Sequence, residues 1–326
     1  MRNVPSSRRT GSLDSGVALS AVADPGTRGD ASSEPQVEHH FTVDVEEYFQ
    51  VSAFEPYVSR ADWGELQSRV AIGVHLLLAL LQRHRARATF FVLGWVAERH
   101  PELIKAIADA GHEIASHGWD HCRVTDQTPD QFRSSVRKTK RVLEDLVGAP
   151  VIGFRAPSFS IVRGYEWAFD LLIEEGYCYD SSLFPIRRPG YGYPGGARDP
   201  YALCTRSGTL VEVPPATLRR WGVNLPAAGG AYFRLLPYVL ARTALRDSAR
   251  RGVPGTFYVH PWEVDLDQPR LPVSWSARVR HYGGLRGTMA RLERLLAEFR
   301  FNSVCGAGAV ARLLSQRHVA PQRGDR

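Results

Sequence analysis

Between residues 39 and 315, short apolar runs rich in β-branched and aromatic side chains alternate with longer stretches in which apolar residues recur every three or four positions. Residues 41–45 read as a first strand, and 63–84 as a helix with Val70, Val74, Leu77, Leu78 and Leu81 on one face. A second strand over 89–93 precedes a helix that carries Ile104, Ile107 and Ala108 and closes at Gly111. Residues 112–116 give a third strand. Thr128, Pro129 and Gln131 then supply the N-cap, first-turn proline and capping-box partner of a helix ending near Gly148. A fourth strand spans 151–154, and a helix from about Tyr165 stops at Gly176. Past Tyr177 the rhythm loosens into a Pro-, Gly- and Tyr-rich loop over 185–200, too long for a mere connection and suited to walling a groove. Strands at 210–213, 256–260 and 301–304, helices at 235–250 and 285–300, and a last short helix complete the pattern.

Strands alternating with helices predict a parallel sheet. About seven of them predict a single distorted (β/α)7-type barrel, with its site at the C-terminal strand ends. Residues 1–38 have a Ser, Gly, Asp and Arg composition without periodicity and read as a flexible leader, 39–315 as the barrel, and 316–326 as a flexible tail. With 326 residues, 44% of them hydrophobic, the chain can bury a large core. No apolar stretch reaches membrane-spanning length, no secretory signal is visible, and four cysteines stand far apart without a C-x-x-C pair. These features predict a cytoplasmic protein without disulfides or an integral membrane segment. The net charge of +7 is spread in ones and twos; even the densest run, 242–251, is interrupted by Asp247, so nucleic acid is not an expected partner.

Polar residues concentrate where apolar strands end. Asp44, Glu46 and Glu47 lie in and after the first strand, His117 and His121 after the third, Arg155 after the fourth, and His260 at the end of 256–260. In a parallel sheet all these ends share one rim. Two imidazoles four residues apart, on a helical turn, can ligate one divalent ion, and a carboxylate from the first strand would complete a catalytic two-His, one-carboxylate set. Asp44 and Glu46 flank Val45 and so point to the same face, leaving one to bind metal and the other to act as general base. Arg155 could pair with that base. His260 could be a general acid once a carboxylate raises its pKa, and Asp180 is the candidate.

Collected in this order, the segments resemble the polysaccharide deacetylases of the NodB-homology, carbohydrate esterase 4 type. Thr42-Val-Asp-Val-Glu46 is similar to the first motif of that family, Ser116-His-Gly-Trp-Asp-His121 to the second, Arg155-Ala-Pro157 to the third, Asp180-Ser-Ser-Leu-Phe-Pro185 to the fourth and Val259-His260 to the fifth. The resemblance implies a catalytic base at Asp44, metal ligands at His117 and His121, a bracing Arg155, and a catalytic His260 tuned by Asp180. It departs at Val45, where most of the family has a metal-binding aspartate, so the metal role passes to Glu46, with direct ligation by Asp44 as the alternative. A second departure puts Ser158, with Phe159 next, where the family usually has an aromatic residue, leaving the oxyanion-holding N–H unassigned. Asp44-Val-Glu-Glu-Tyr-Phe49, Gly111-His-Glu-Ile-Ala-Ser-His117, Phe154-Arg-Ala-Pro-Ser-Phe-Ser160, Gly229-Gly-Ala-Tyr-Phe-Arg-Leu-Leu-Pro237 and Phe257-Tyr-Val-His-Pro-Trp-Glu263 resemble the branch found beside exosortase (PEP-CTERM) and exopolysaccharide machinery. The implied reaction is removal of N-acetyl groups from N-acetylhexosamine units of a polysaccharide, with one divalent ion, Zn²⁺ first among candidates. Two alternatives stay open: a metal-free, allantoinase-like hydrolase of a small cyclic amide, and a carbohydrate-binding homologue without catalysis.

Overall fold

Strand β1 (His39–Val45) is buried at every one of its seven positions, which only a strand covered on both faces can be. The computed structural model describes residues 37–188 and 190–316; the predicted leader up to residue 36 and the tail beyond 316 lie outside the described residues. Around β1 gather β2 (Thr89–Val92), β3 (Glu113–Ser116), β4 (Gly153–Phe154), β5 (Tyr179–Asp180), β6 (Tyr201–Thr205), β7 (Gly208–Glu212) and β10 (Thr256–Val259) in the order β10-β1-β2-β3-β4-β5-β7-β6. All neighbours in this path run parallel except the antiparallel edge strand β6, and β11 (Phe301–Asn302) adds a short parallel pairing to β1. The free edge of β10 meets the chain beyond β7 only through isolated bridges, Pro215 to Thr256 and Gly229 to Tyr258. The ring is thus a distorted (β/α) barrel, with single bridges where a regular barrel has a ladder.

Register carries the chemistry to one rim. Val45 pairs with Val92, Val92 with Ser116, Ser116 with Phe154, Phe154 with Asp180, and Asp180 with Glu212. The outward residues Phe41, Val43, Val45, Phe90 and Val92 join the large core beneath α1 (Val70–Arg83), α2 (Gly94–Arg99), α3 (Pro101–Asp109), α4 (Pro129–Val147) and α5 (Trp167–Glu174). A smaller cluster containing Phe91, Ala115, Tyr179 and Val211 forms separately from it. At the other end of β1, His39 Nδ1 accepts from Gly255 N–H and His40 Nδ1 meets Thr256 Oγ1, both at 2.9 Å, and burial keeps the two imidazoles neutral, with pKa values pushed down to about 4 and about 3.

Several predicted boundaries shift. The expected helix over 63–84 divides into a 3₁₀ turn at Arg60–Gly64 and α1 proper. Helix α4 has the predicted capping box at Thr128 and Gln131 and ends on Gly148 in the left-handed conformation, φ +65°. After α5, sequence periodicity overlooked β6, the hairpin β8 (Thr217–Arg220) and β9 (Val223–Pro226), and the short α6 (Gly230–Leu235) that precedes α7 (Tyr238–Arg250). It also overlooked α8 (Trp275–Tyr282), ahead of α9 (Thr288–Glu298) and α10 (Gly308–Ser315).

Gly73 in α1 faces the 3₁₀ turn Pro261–Val264 directly after His260; a Cβ there would stand 2.1 Å from the Pro261 carbonyl oxygen. Gly73→Ala gains roughly 1 kcal/mol in helix propensity but must displace that backbone, and overpacking of this kind costs roughly 1–3 kcal/mol. Urea unfolding is expected to show a net loss for Gly73→Ala and little change for Gly64→Ala, where a Cβ meets nothing within 4 Å. Equal midpoints for the two variants would refute this packing.

Candidate active site

Arg155 leaves β4 and turns its side chain into the barrel, fully buried. Its Nη1 donates to Asp44 Oδ1 at 2.6 Å and to Thr42 Oγ1 at 2.8 Å; Nη2 donates to Ser181 Oγ at 2.8 Å and Nε to the Ser181 carbonyl at 3.2 Å. The guanidinium lies 4.1 Å from the Phe91 ring centroid and 5.5 Å from that of Phe159. Asp44, 2% exposed, is thereby fixed at the floor of a cavity, with Oδ2 directed toward His260 Nε2 at 3.9 Å.

Glu46 follows two residues later, and its Oε2 lies 2.8 Å from His121 Nε2. One ligand atom from each of Glu46, His117 and His121 lies within 4.8 Å of the others. The two histidines come not from a helical turn, as their spacing suggests, but from a bent loop after β3 in which Gly118 (φ +77°) and His121 (φ +56°) both take left-handed backbone. His117 Nδ1 is 2.8 Å from the Arg155 carbonyl, which can only accept, so Nδ1 carries the hydrogen. Burial pushes the His117 pKa down to about 4; the ring is neutral and its Nε2 keeps a free lone pair. Glu46 Oε1 accepts from Trp262 Nε1 at 3.1 Å, and Oε2 faces His121 Nε2. Burial opposes ionisation of Glu46, but His121 and His260 outweigh it and bring the carboxyl down to about 2. An ionised carboxylate clustered with two buried imidazoles, one of them neutral with its second nitrogen tied to a carbonyl, suits a divalent ion.

His260 follows β10, the strand paired with β1, and its Nε2 lies 3.8 Å from Glu46 Oε1. The expected partner, Asp180, is not the one it has: Asp180 accepts from Ser182 Oγ at 2.6 Å and Ser182 N–H at 2.9 Å and makes no contact with His260. Ser182 Oγ in turn receives the Ala156 N–H at 2.7 Å, so Asp180 positions the segment that follows Arg155. Buried against Glu212, Asp180 has its pKa raised by desolvation, and Glu212 is raised well above the carboxylate range by burial and by Asp180. The partner of His260 is Glu263, whose Oε2 takes the backbone N–H at 2.9 Å and lies 3.0 Å from Nδ1. Burial works against the charge on Glu263, yet Arg234 and His260 hold its pKa at about 2, and Arg234 Nε donates to its other oxygen. Desolvation would likewise strip His260, but Glu46, Glu263 and Asp44 raise it from 6.5 to about 9. Its ring also stacks on Trp262 at 5.0 Å.

Glu47, the third acid of the first motif, turns away and caps α1, accepting the Arg69 and Val70 N–H groups at 2.9 and 3.2 Å. Glu263 and Arg234 escaped the sequence reading. The signal was a glutamate three residues after His260 at the start of a Pro-led turn, the pattern of a capping box. The cavity is about 770 Å³; besides these groups it is lined by Tyr191 and Arg188 of the 185–200 loop, by Tyr232, and by leucines of β8, β9 and α7.

Residues 73–166 match the family model for polysaccharide deacetylase, and residues 181–307 match a model described as a domain of unknown function. A peptidoglycan deacetylase of Helicobacter pylori is 33% identical over 114 residues, 34% of this chain and 37% of that protein. A peptidoglycan-N-acetylglucosamine deacetylase of Bacillus cereus is 34% identical over 93 residues, 28% of this chain and 34% of its own length. The chain thus spans about a third of the length of these curated relatives. Among solved structures, a Mycobacterium smegmatis protein assigned to the polysaccharide deacetylases superposes with a TM-score of 0.56 at 22% identity, covering 90% of this chain and 96% of that one. The allantoinase PuuE superposes with a TM-score of 0.54 at 17% identity, covering 92% and 100%. These two likenesses establish the fold.

Two measurements check the geometry. Calorimetric titration with Zn²⁺ is expected to give one strong site per chain, absent from His117→Ala, His121→Ala and Glu46→Gln; retention in Glu46→Gln would remove that residue from the set. In chelator-treated protein, NMR should find the His260 imidazole titrating near 9, and Glu263→Gln should bring it down. Since the folded pKa lies above the unfolded 6.5, its charge interactions stabilise fully below about pH 6.5 and are lost as pH rises through about 9. The stability gap between wild type and Glu263→Gln should therefore narrow over that interval, and a gap that widens would contradict the pairing.

Proposed function

We propose that this chain is a polysaccharide deacetylase, a reading supported by the match of residues 73–166 to that family's model, and that it hydrolyses N-acetyl groups from N-acetylhexosamine units of a polysaccharide made for export. The exopolysaccharide setting rests on the long segments at 44–49, 111–117, 154–160, 229–237 and 257–263 that resemble the exosortase-associated branch. What supports the catalytic reading is the meeting of a carboxylate and an imidazole from the ends of the paired strands β1 and β10 in one cavity, Asp44 Oδ2 and His260 Nε2, 3.9 Å apart and beside a three-residue ligand cluster. A binding protein needs no such matched pair.

Glu46, His117 and His121 would hold the divalent ion, Zn²⁺ by donor type, which supplies Lewis acidity to the acetamide carbonyl and to water. Asp44, oriented by Arg155, accepts the proton of the attacking water as its oxygen bonds to the carbonyl carbon. His260, kept protonated by Glu263, Glu46 and Asp44, delivers a proton to the nitrogen as the C–N bond breaks, leaving acetate and a free amine. Proton delivery is essential here because an amide anion is a very poor leaving group. Asp180 contributes by placing Ser182 and, through it, the backbone beyond Arg155.

Acetate release from N-acetylglucosamine oligomers and from cell-derived exopolysaccharide tests this reading. Asp44→Asn and His260→Ala are each expected to lower kcat by about 10²–10⁴, and a chelator should abolish turnover reversibly. Activity that survives both substitutions would defeat the assigned roles; activity on a cyclic amide that survives the chelator would favour the metal-free alternative.

A further inference from the structure

The cavity that holds Asp44 and His260 also has an aliphatic wall. Leu218 and Leu225 of the β8–β9 hairpin, Leu235 and Leu236 at the end of α6, and Leu240 of α7 line it. Leucine offers neither donor nor acceptor to a sugar hydroxyl, and a hydroxyl buried against it loses its hydrogen bonds to water without replacement. Such a wall selects hydrocarbon. Leu225 and Leu235 are nonetheless 39% and 45% exposed, and the apolar surface runs on through Val223, 55% exposed, to Trp221, 94% exposed at the hairpin tip.

Cations accompany this surface. Arg188 and Arg280 line the same cavity, and both act electrostatically on Tyr191. Among the described residues, neither has a carboxylate within ion-pair distance, in contrast to the paired Arg123 and Arg234 that also line the cavity. At the hairpin tip Arg219 and Arg220 are exposed directly before Trp221, and Trp221 (φ +48°) and Gly222 (φ +77°) form a left-handed turn. An indole at full exposure beside two guanidiniums has the make-up of a side-chain set that settles at an anionic lipid interface.

Resting on the deacetylase reading, we propose that the substrate is an N-acetylhexosamine joined through a phosphoryl linker to a polyprenyl-type lipid. Its sugar lies at Asp44 and His260, its phosphate at Arg188 and Arg280, and its first isoprene units along the leucine wall. The tip at 219–223 rests in the surface of the membrane that carries the lipid. One cavity thus offers an acid–base pair, two cations without carboxylate partners and an aliphatic surface, the three kinds of contact that such a molecule asks for.

The test uses full-length, Zn²⁺-loaded protein and two substrates: N-acetylglucosaminyl-phosphoryl-farnesol and a soluble N-acetylglucosamine oligomer. The lipid-linked substrate is expected to show a KM at least about tenfold lower, equivalent to about 1.4 kcal/mol. Leu225→Ser/Leu240→Ser and Arg188→Ala/Arg280→Ala should lose that advantage while kcat on the oligomer is unchanged. Equal KM values, or an advantage that persists in both double variants, overturns the proposal and leaves the deacetylase reading standing. Binding of dodecyl phosphate is measured separately, by calorimetry, and does not depend on turnover. If no substrate is cleaved, the deacetylase reading fails, and tight dodecyl phosphate binding that is lost in the leucine variant still supports the lipid site. Inorganic phosphate or a soluble uronate oligomer competing as well as dodecyl phosphate overturns it. Phosphatidylglycerol vesicles should bind wild type and shift its tryptophan emission to the blue, with no shift in Trp221→Ser; an identical shift in that variant removes the hairpin tip from the proposal.

Discussion

A single buried guanidinium organises the catalytic rim. Arg155 makes four side-chain hydrogen bonds, to Thr42 and Asp44 of β1 and to Ser181 beyond β5, and its backbone C=O fixes the tautomer of His117. Ser181 Oγ passes its own hydrogen to the Val213 carbonyl past β7, so one side chain ties together the ends of four strands. With no solvent to fall back on, a cation there requires Asp44, and Asp44 requires the cation. Removing one member of such a pair leaves the other charge stranded, at a cost of about 3–5 kcal/mol. That cost outweighs any loose placement of the catalytic base, which explains how a carboxylate at the end of a short strand is held in one position.

The same arrangement recurs at His260. Glu263 stands between Arg234 and His260 as Asp44 stands between Arg155 and the cavity. Arg234 is itself held by the carbonyls of Arg280, His281 and Gly283, so the support for His260 reaches into the loop after α8. In the metal-free protein the three carboxylates Asp44, Glu46 and Glu263 are matched by two guanidiniums and the His260 imidazolium. This balance makes a protonated histidine stable in a buried site where desolvation alone would discharge it.

The rim residues were legible because their signal is local: a polar residue at the end of an apolar strand, repeated at several strands, needs only the assumption of parallel order. The capping box of α4 was legible for the same reason. Assigning Asp180 to His260 failed because it was a long-range pairing, and spacing along the chain does not report which of two buried acids faces an imidazole. Local geometry decided instead, since Glu263 reaches back three residues within a Pro-led turn while Asp180 is taken up by Ser182 two residues on. The β8–β9 hairpin was missed because its strands are four residues each and its turn uses Trp221-Gly222; a non-glycine residue with positive φ gives little warning in sequence.

Function divides along the chain. Strands β1 to β4 and their following loops supply Asp44, its guanidinium partner Arg155 and the candidate ligands, whereas residues 181–307 supply His260, its carboxylate partner Glu263, the second guanidinium and the aliphatic wall. Helix α6 links the last two tasks within one turn. Arg234 points inward, 2% exposed, to hold Glu263, and its neighbour Leu235 points outward, 45% exposed, to form the wall. The wall therefore cannot shift without moving the support of His260. Consecutive residues on one short helix serve both the support of the His260–Glu263 pair and the wall of the cavity in which that pair stands.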